Sequence, residues 1–330
     1  MSKILSVIIP VYNGEEFIQR CLNSIISAFE KVDNFSIELI LVDDGSIDNS
    51  RDIIKEFTKK YGFIKYYYQH NQGPSAARNF GLDVAIGDYI GFVDCDDTVK
   101  PIFFQALQKA IYGKPDLILF GYEKVLREGK FNFFTPEKKT CMNVKDKLSN
   151  VFNEKLLFWY SCTKIYKNSL IKNIRFDSRI RLGEDTIFNL QVVKNSSVIK
   201  QIPEILYSYY ENLGSLSSPS YKNGLLENME YHFENRLKVH ESLDSVIKLD
   251  ISKYYLGHIL PWLINNIMYL PESERKKELK RIAESNFFTT CTKWKWNLDS
   301  KGQYLIIFLL NSRMFNLLNF LLKIKYSSKS

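Results

Sequence analysis

The feature that most restricts the fold is an alternation, sustained over the first 125 residues, of short apolar runs with segments of three- and four-residue hydrophobic spacing. Ile4–Ile9 is a β-branched run closed by Pro10, the pattern of a buried strand. Phe17, Ile18, Cys21, Leu22, Ile25, Ile26 and Phe29 follow at helical spacing, with Glu15 and Glu16 where a helix dipole favours anions. Ile37–Val42, Ile64–Gln69, Tyr89–Val93 and Asp116–Tyr122 read as four further strands. Helices are expected over 49–60, after Gly73-Pro74 and after Pro101. Strands separated by helices of roughly 10–15 residues imply right-handed βαβ units, an α/β fold and a mainly parallel sheet flanked by helices. Residues 123–200 are less regular, and 225–285 read as helical, with Pro261 and Pro271 marking a kink or a break.

In such a sheet ligands bind outside the carboxyl ends of the strands. Three polar clusters lie at strand ends: Pro10–Asn13, Asp43–Ser46 and Asp94–Asp97. They converge on one edge and locate a site before any chemistry is assigned. Within Asp94-Cys95-Asp96-Asp97 the carboxylates repel one another, so a divalent ion bridging to substrate phosphates is a natural neutraliser. A run of helix-capping Asp is the other reading of that spacing.

Several chemistries lack their residues. There is no Gly-x-Ser-x-Gly elbow, HExxH, Walker A loop or GxGxxG, and His70, His232, His240 and His258 have no metal spacing. The five cysteines are odd in number and form no CxxC pair, which argues for a reducing compartment. Met1–Ser6 runs straight into a strand-like segment and no apolar run approaches about 18 residues, so a cytoplasmic globular protein is expected. A composition of 45% hydrophobic and 25% charged residues excludes a disordered chain. Residues 271–330 hold 12 Lys/Arg against 5 Asp/Glu, most of the net charge of +8. A basic tail suggests an anionic surface, membrane or nucleic acid, and solvated helix faces are the plainer account.

Five ordered segments carry a family resemblance: Ser6-Val-Ile-Ile-Pro-Val-Tyr-Asn13, Leu41-Val-Asp-Asp-Gly-Ser46, Asn71-Gln-Gly-Pro-Ser-Ala-Ala-Arg-Asn79, Gly87-Asp-Tyr-Ile-Gly-Phe-Val-Asp-Cys-Asp-Asp97 and Gly183-Glu-Asp185. Together they resemble the family 2 glycosyltransferases of GT-A (Rossmann-like) fold found in bacterial surface-polysaccharide clusters. The resemblance implies a catalytic domain over 1–220, its nucleotide-sugar half about 1–125 and its acceptor half about 126–220, and a helical, basic region over 221–330. It implies that Pro10, Val11 and Tyr12 wall a nucleobase pocket, with Tyr12 stacking, and that Asp43 or Asp44 accepts from the N3–H of a uracil. Asn71 and Cys95 fall inside the same motifs and count with the nucleotide-sugar contacts. Arg78 would pair with the pocket acids or reach the nucleotide, and Asp94 would bind the ribose or the metal. Asp96 would be the principal ligand of Mn²⁺ or Mg²⁺ on the diphosphate. Asp185 would be the catalytic base, with Glu184 as its neighbour. The segment Tyr207–Ser217 is similar to one that often carries Arg or His before Gly-Ser, where this chain has Glu211 and Asn212.

The leading expectation is an inverting, metal-dependent transfer from a UDP-sugar to a glycan, lipid-linked or teichoic-acid-like acceptor, with no nucleic acid as partner. A nucleotidyltransferase and a non-enzymatic binder of nucleic acid or anionic surfaces are the alternatives. A helix over 304–324 would set Ser312, Asn316, Asn319 and Lys323 on one arc and Leu310, Met314, Leu317, Leu318 and Leu321 on the other. That pattern suits a membrane interface reached through 302–330, or packing on the protein body.

Overall fold

The computed structural model describes residues 4–126, 131–136, 159–212, 220–240 and 242–327. The polar stretch 127–148, apart from 131–136, lies outside the described residues, as do Phe158 and residues 213–217 of the Tyr207–Ser217 segment. The chain divides into two compact units, Met1–Leu216 and Ser217–Ser330.

In the first unit the alternation becomes β1 (Ile4–Val11), α1 (Ile18–Phe29), β2 (Ser36–Asp43), α2 (Ser50–Lys60), β3 (Ile64–Tyr68), α3 (Pro74–Val84) and β4 (Tyr89–Phe92). Then come β5 (Thr98–Val99), α4 (Phe103–Ile111), β6 (Leu117–Val125), β7 (Phe131–Phe134), a 3₁₀ turn Ser161–Thr163, β8 (Lys164–Lys167), α5 (Asn168–Ile171), α6 (Glu184–Asn195) and β9 (Ile199–Tyr210). The strand order is β3-β2-β1-β4-β8-β6-β9-β5, with β7 paired to β6. From β3 to β4 every pairing is parallel, as expected for buried βαβ strands. Beyond β4 the sheet is mixed: β8 runs antiparallel to both β4 and β6, and β6 pairs in parallel with β9. The mainly parallel description therefore holds for the first half of the sheet only.

One face of the parallel half packs Leu5, Val7, Ile9, Leu39 and Leu41 with Cys21, Leu22 and Ile25 of α1 and Phe104 and Leu107 of α4. On α3, a Cβ placed on Gly81 would stand 2.4 Å from Ile8 Cγ2 of β1. The glycine is what lets the helix lie that close to the strand. On β6, the register slips at Gly121, so that Pro203 and Glu204 bulge out of β9 between the pairs Phe120–Ile202 and Gly121–Ile205. Such a bulge is where a strand tolerates a proline that cannot donate to the ladder.

The second unit is helical among its described residues: α7 (Leu225–Val239), α8 (Ser245–Tyr254), a π-helical turn Tyr255–Ile259, α9 (Leu260–Ile267), α10 (Glu272–Glu284), α11 (Asn286–Cys291), α12 (Lys301–Asn311) and α13 (Phe315–Ser327). Pro261 enters α9 right after the π turn, and Pro271 sits at the N-cap of α10. The single helix expected over 304–324 is two helices. Arg313 takes a left-handed φ of 55°, Met314 N donates to Leu309 O and Arg313 N to Leu310 O. That is the six-to-one and five-to-two closure of a Schellman stop, built without the glycine that would have announced it. The expected arcs do not survive the break: Leu310, Leu318 and Asn319 are buried while Met314 and Leu317 are exposed. No helix among the described residues is long and apolar enough to cross a membrane.

Replacing Gly81 with alanine forces a methyl into Ile8. The expected cost is about 1–3 kcal/mol of stability from overpacking. A lower urea midpoint at unchanged slope is the reading that checks it.

Candidate active site

The ends of β1 and β2 are tied together, Asp44 N donating to Val11 O over 2.8 Å. Val11 is buried, Pro10 half-buried, and Tyr12 projects with 52% of its surface exposed. Asp43 is buried and accepts from Ser46 N at 2.8 Å and from the Tyr66 hydroxyl at 2.8 Å. Asp44, also buried, accepts from Gln69 Nε2 at 2.6 Å, Gln72 N at 2.9 Å and Gly73 N at 2.8 Å. Both carboxylates thus shape the loops around them. Gly45, at φ 79°, lies under Asn71, whose backbone N would stand 2.8 Å from any Cβ there; Asn71 itself is exposed.

Arg78, buried on α3, gathers acids from two distant segments. Its Nη2 donates to Asp94 Oδ1 at 2.9 Å and its Nη1 to Glu184 Oε1 at 3.0 Å, with Asp185 Oδ1 at 3.7 Å. Burial alone would lower the guanidinium pKa, but Asp185, Asp94 and Glu184 together carry it above its ordinary value. Three carboxylates share one cation, so one is left undercompensated. That one is Glu184, pushed up to about 7 by burial and then by Asp185, against the pull of Arg78. Asp185 accepts from Ser161 N at 2.9 Å and Ser161 Oγ at 3.1 Å, both on Oδ2, while its buried Oδ1 accepts no hydrogen bond.

After β4 the acidic run divides its work. Asp97 is fully buried, taking the Tyr207 hydroxyl at 2.6 Å and Tyr210 N at 2.8 Å, and the same hydroxyl accepts from Asp94 N at 3.1 Å. Asp96 accepts from Asn212 Nδ2 at 2.8 Å, and its backbone carbonyl accepts from Arg20 Nη2 at 2.6 Å. Burial, then Asp94, raises the Asp96 carboxyl. Asp94, Asp97 and Cys162 each offer a ligand atom within 4.8 Å of the others. The carboxylate oxygens of Asp94 and Asp97 are the hard donors a divalent ion takes, with Asp96 beside them. Burial, then Asp94 and Asp97, pushes the Cys162 thiol far up, so it stays protonated and a poor ligand for such an ion. Cys95, half-buried, is raised in the same way, by burial and then Asp96 and Asp94.

Residues 6–175, more than half of the chain, match the model of "Glycosyl transferase family 2". The chain belongs to this family. It is 30% identical over its whole length to the "Uncharacterized glycosyltransferase EpsJ" of Bacillus subtilis, covering 97% of that protein. It is also 29% identical to the "Minor teichoic acid biosynthesis protein GgaB" of the same organism, over 84% of this chain but only 32% of that protein. The crystal structure of S. aureus TarS 1-349 in complex with UDP covers all of this chain and 92% of its own at a TM-score of 0.70 and 19% identity; the same fragment is also known with UDP-GlcNAc. The fold is shared with that GT-A enzyme, and the chain is a glycosyltransferase, which decides against the nucleotidyltransferase and the non-enzymatic binder.

In this glycosyltransferase Arg78 takes the first of its two expected roles: it pairs with the acids. Glu184 and Asp185, adjacent at the start of α6, both turn toward it. Sequence reading missed Ser161, which holds Asp185, and the part played by Tyr207, Asn212 and Arg20 around the acidic run. Ser161 and Arg20 lie in no motif, while Tyr207 and Asn212 lie in the segment singled out above for its lack of a cation. Arg20 stacks on Tyr210, 3.9 Å from the ring centroid, so a cation does stand beside the segment where Glu211 and Asn212 replace one.

The Glu184 shift has a pH consequence. A carboxyl whose folded pKa lies above its ordinary 4.5 favours folding fully below that value and loses the contribution as pH rises through about 7. The wild type should lose thermal stability between about pH 5 and 7 from this group, and Glu184→Gln should flatten that slope. Melting curves across the range read it directly.

Proposed function

We propose that this glycosyltransferase moves a sugar from a UDP-sugar to a hydroxyl of a glycan, lipid-linked or teichoic-acid-like acceptor in cell-surface polysaccharide synthesis, with inversion at the anomeric carbon. The observation that carries the reading is the convergence of Asp94, Glu184 and Asp185 on Arg78, with Asp185 Oδ1 left without a donor. The relatives named for teichoic acid synthesis and the structures holding UDP and UDP-GlcNAc support the donor and the acceptor class.

In this reading Pro10 and Val11 wall the nucleobase and exposed Tyr12 gives it a stacking face. One of Asp43 and Asp44 accepts its N3–H through a remaining lone pair, and Asn71 and Cys95 line the nucleotide. Asp94 and Asp96 would hold Mn²⁺ or Mg²⁺, which when bound offsets the charge of the departing diphosphate. Asp185 takes the proton of the acceptor hydroxyl as its oxygen bonds to the anomeric carbon, while the bond from that carbon to the phosphate oxygen breaks and UDP leaves. Arg78, 3.7 Å from Oδ1, and Ser161, on Oδ2, would restrain the carboxylate for that transfer. Glu184 shares Arg78 with Asp185.

Asp185→Asn should lower transfer by about 10²–10⁴-fold, the scale of general-base catalysis, and leave UDP affinity nearly unchanged. Glu184→Gln should lose less; a dead Glu184→Gln beside an active Asp185→Asn would exchange the two roles. Asp96→Asn should weaken UDP binding in Mn²⁺ and remove most activity; titration of UDP by calorimetry, with and without Mn²⁺, checks this, and full turnover in chelator would refute the metal reading.

A further inference from the structure

The second unit carries a surface that donor chemistry does not use. Helices α12 and α13 are joined by the tight stop at Arg313, and each buries one side: Ile307, Leu309 and Leu310 on the first, Leu318 and Leu322 on the second. Both pack against α10. Their other sides are exposed and carry several large apolar residues among polar ones. Leu305 and Phe308 are exposed one turn apart on α12, and Leu317, Phe320 and Ile324 recur at three- and four-residue spacing on α13. The two phenylalanines leave 60% and 59% of their surface in solvent. Core-type side chains in that number, adjacent in sequence and equally uncovered, mark a contact surface rather than scattered exposure.

Charge says what covers it. From residue 300 to 330 the chain has five Lys/Arg and no Asp or Glu. Lys301 and Lys325 are exposed on the two helices and Arg313 in the turn between them, and Lys323 meets Glu272 of α10. A second copy packed on this face through a two-fold axis would bring the same cations against themselves, which opposes association. A nucleic acid would match the charge but leave the Leu, Phe and Ile side chains in water. Aromatic and aliphatic tips on one side with basic residues at the margin fit the boundary of an anionic bilayer, where the tips reach the acyl region and the cations meet phosphate headgroups.

We infer that the α12–α13 helix pair docks the enzyme on an anionic lipid surface. The inference is independent of the donor reading, because it rests on the second unit alone. It corrects the amphipathic picture drawn from the sequence: the contact is made by two short helices lying side by side after a hard turn, through Phe308 and Phe320 rather than through one continuous leucine arc.

Flotation of the full chain with vesicles of phosphatidylcholine and phosphatidylglycerol mixed about 2:1 tests it, with pure phosphatidylcholine vesicles as the comparison. The full chain should float with the anionic vesicles at low salt, and at least about tenfold less with neutral ones or at high salt. Phe308→Ser with Phe320→Ser, both on the surface, should reduce flotation about tenfold while UDP binding in the first unit reports an intact protein. Arg313→Gln with Lys325→Gln should weaken binding and leave a salt-insensitive remainder. No flotation by the wild type, flotation unchanged by the double Phe variant, or a wild-type dimer that the Phe substitutions dissociate would each overturn the inference, the last in favour of a second copy on this face.

Discussion

The arrangement of the first unit depends on one guanidinium. Arg78 is buried, and the acids around it are partly buried: Asp94 from the end of β4, and Glu184 and Asp185 from the start of α6. Charges that close to one another are costly without a counter-ion, and a single cation shared by three anions leaves a deficit. Burial, and then the neighbouring carboxylates, raise Glu184 and, beside Asp94, Asp96 and Asp97. Arg78 also lies on the face of Phe176, 5.5 Å from its centroid, so the side chain is fixed by packing as well as by charge. An arginine suits this position where a lysine would not, since its planar fork can address Asp94 through one nitrogen and Glu184 through another.

The mixed half of the sheet explains how residues about 90 positions apart meet. Parallel strands β1, β2 and β4 deliver their loops to one edge. Antiparallel β8, inserted between β4 and β6, reverses the chain so that the turn before it, Ser161–Thr163, arrives at that same edge. Gly183, at φ 89°, then starts α6 with its acids at the N-terminus, where the backbone N–H groups and the helix dipole favour them. Ser161 supplies two hydrogen bonds to Asp185 from a turn that exists because β8 runs backwards.

How much of this was legible in the sequence follows from the same geometry. β1, β2 and β4 are buried along their length, and β1 and β2 read as near-continuous runs of Val, Ile and Leu. Their ends carry the motif residues Pro10, Asp43, Asp44, Asp94 and Asp96, and Arg78 stands in the motif that opens α3. β8 was not legible, because Lys164-Ile-Tyr-Lys167 is four residues long with a lysine at either end, and nothing local distinguishes it from a loop. β9 hides behind Pro203, which reads as a strand breaker until the bulge opposite Gly121 is known. The break at Arg313 was invisible for a related reason: left-handed backbone is signalled by glycine, and here an arginine adopts it. In each case the deciding interaction is non-local or carried by an atypical residue.

Lys164 shows how far non-local cost can reach into the site. Its ammonium is fully buried, and burial pulls its pKa down to about 7 although Cys162 and Asp185 act to raise it. Its Nζ donates to the Tyr160 carbonyl and to Thr163 Oγ1, and Thr163 Oγ1 donates in turn to the same carbonyl. The lysine therefore ties together Tyr160 and Thr163, between which Ser161 holds Asp185. A hydrophobic residue of equal volume would pack without the desolvation penalty, but it would leave the Tyr160 carbonyl to the threonine alone. The chain accepts a buried amine where it needs a turn of fixed shape, and the orientation of the carboxylate on α6 is what that turn determines.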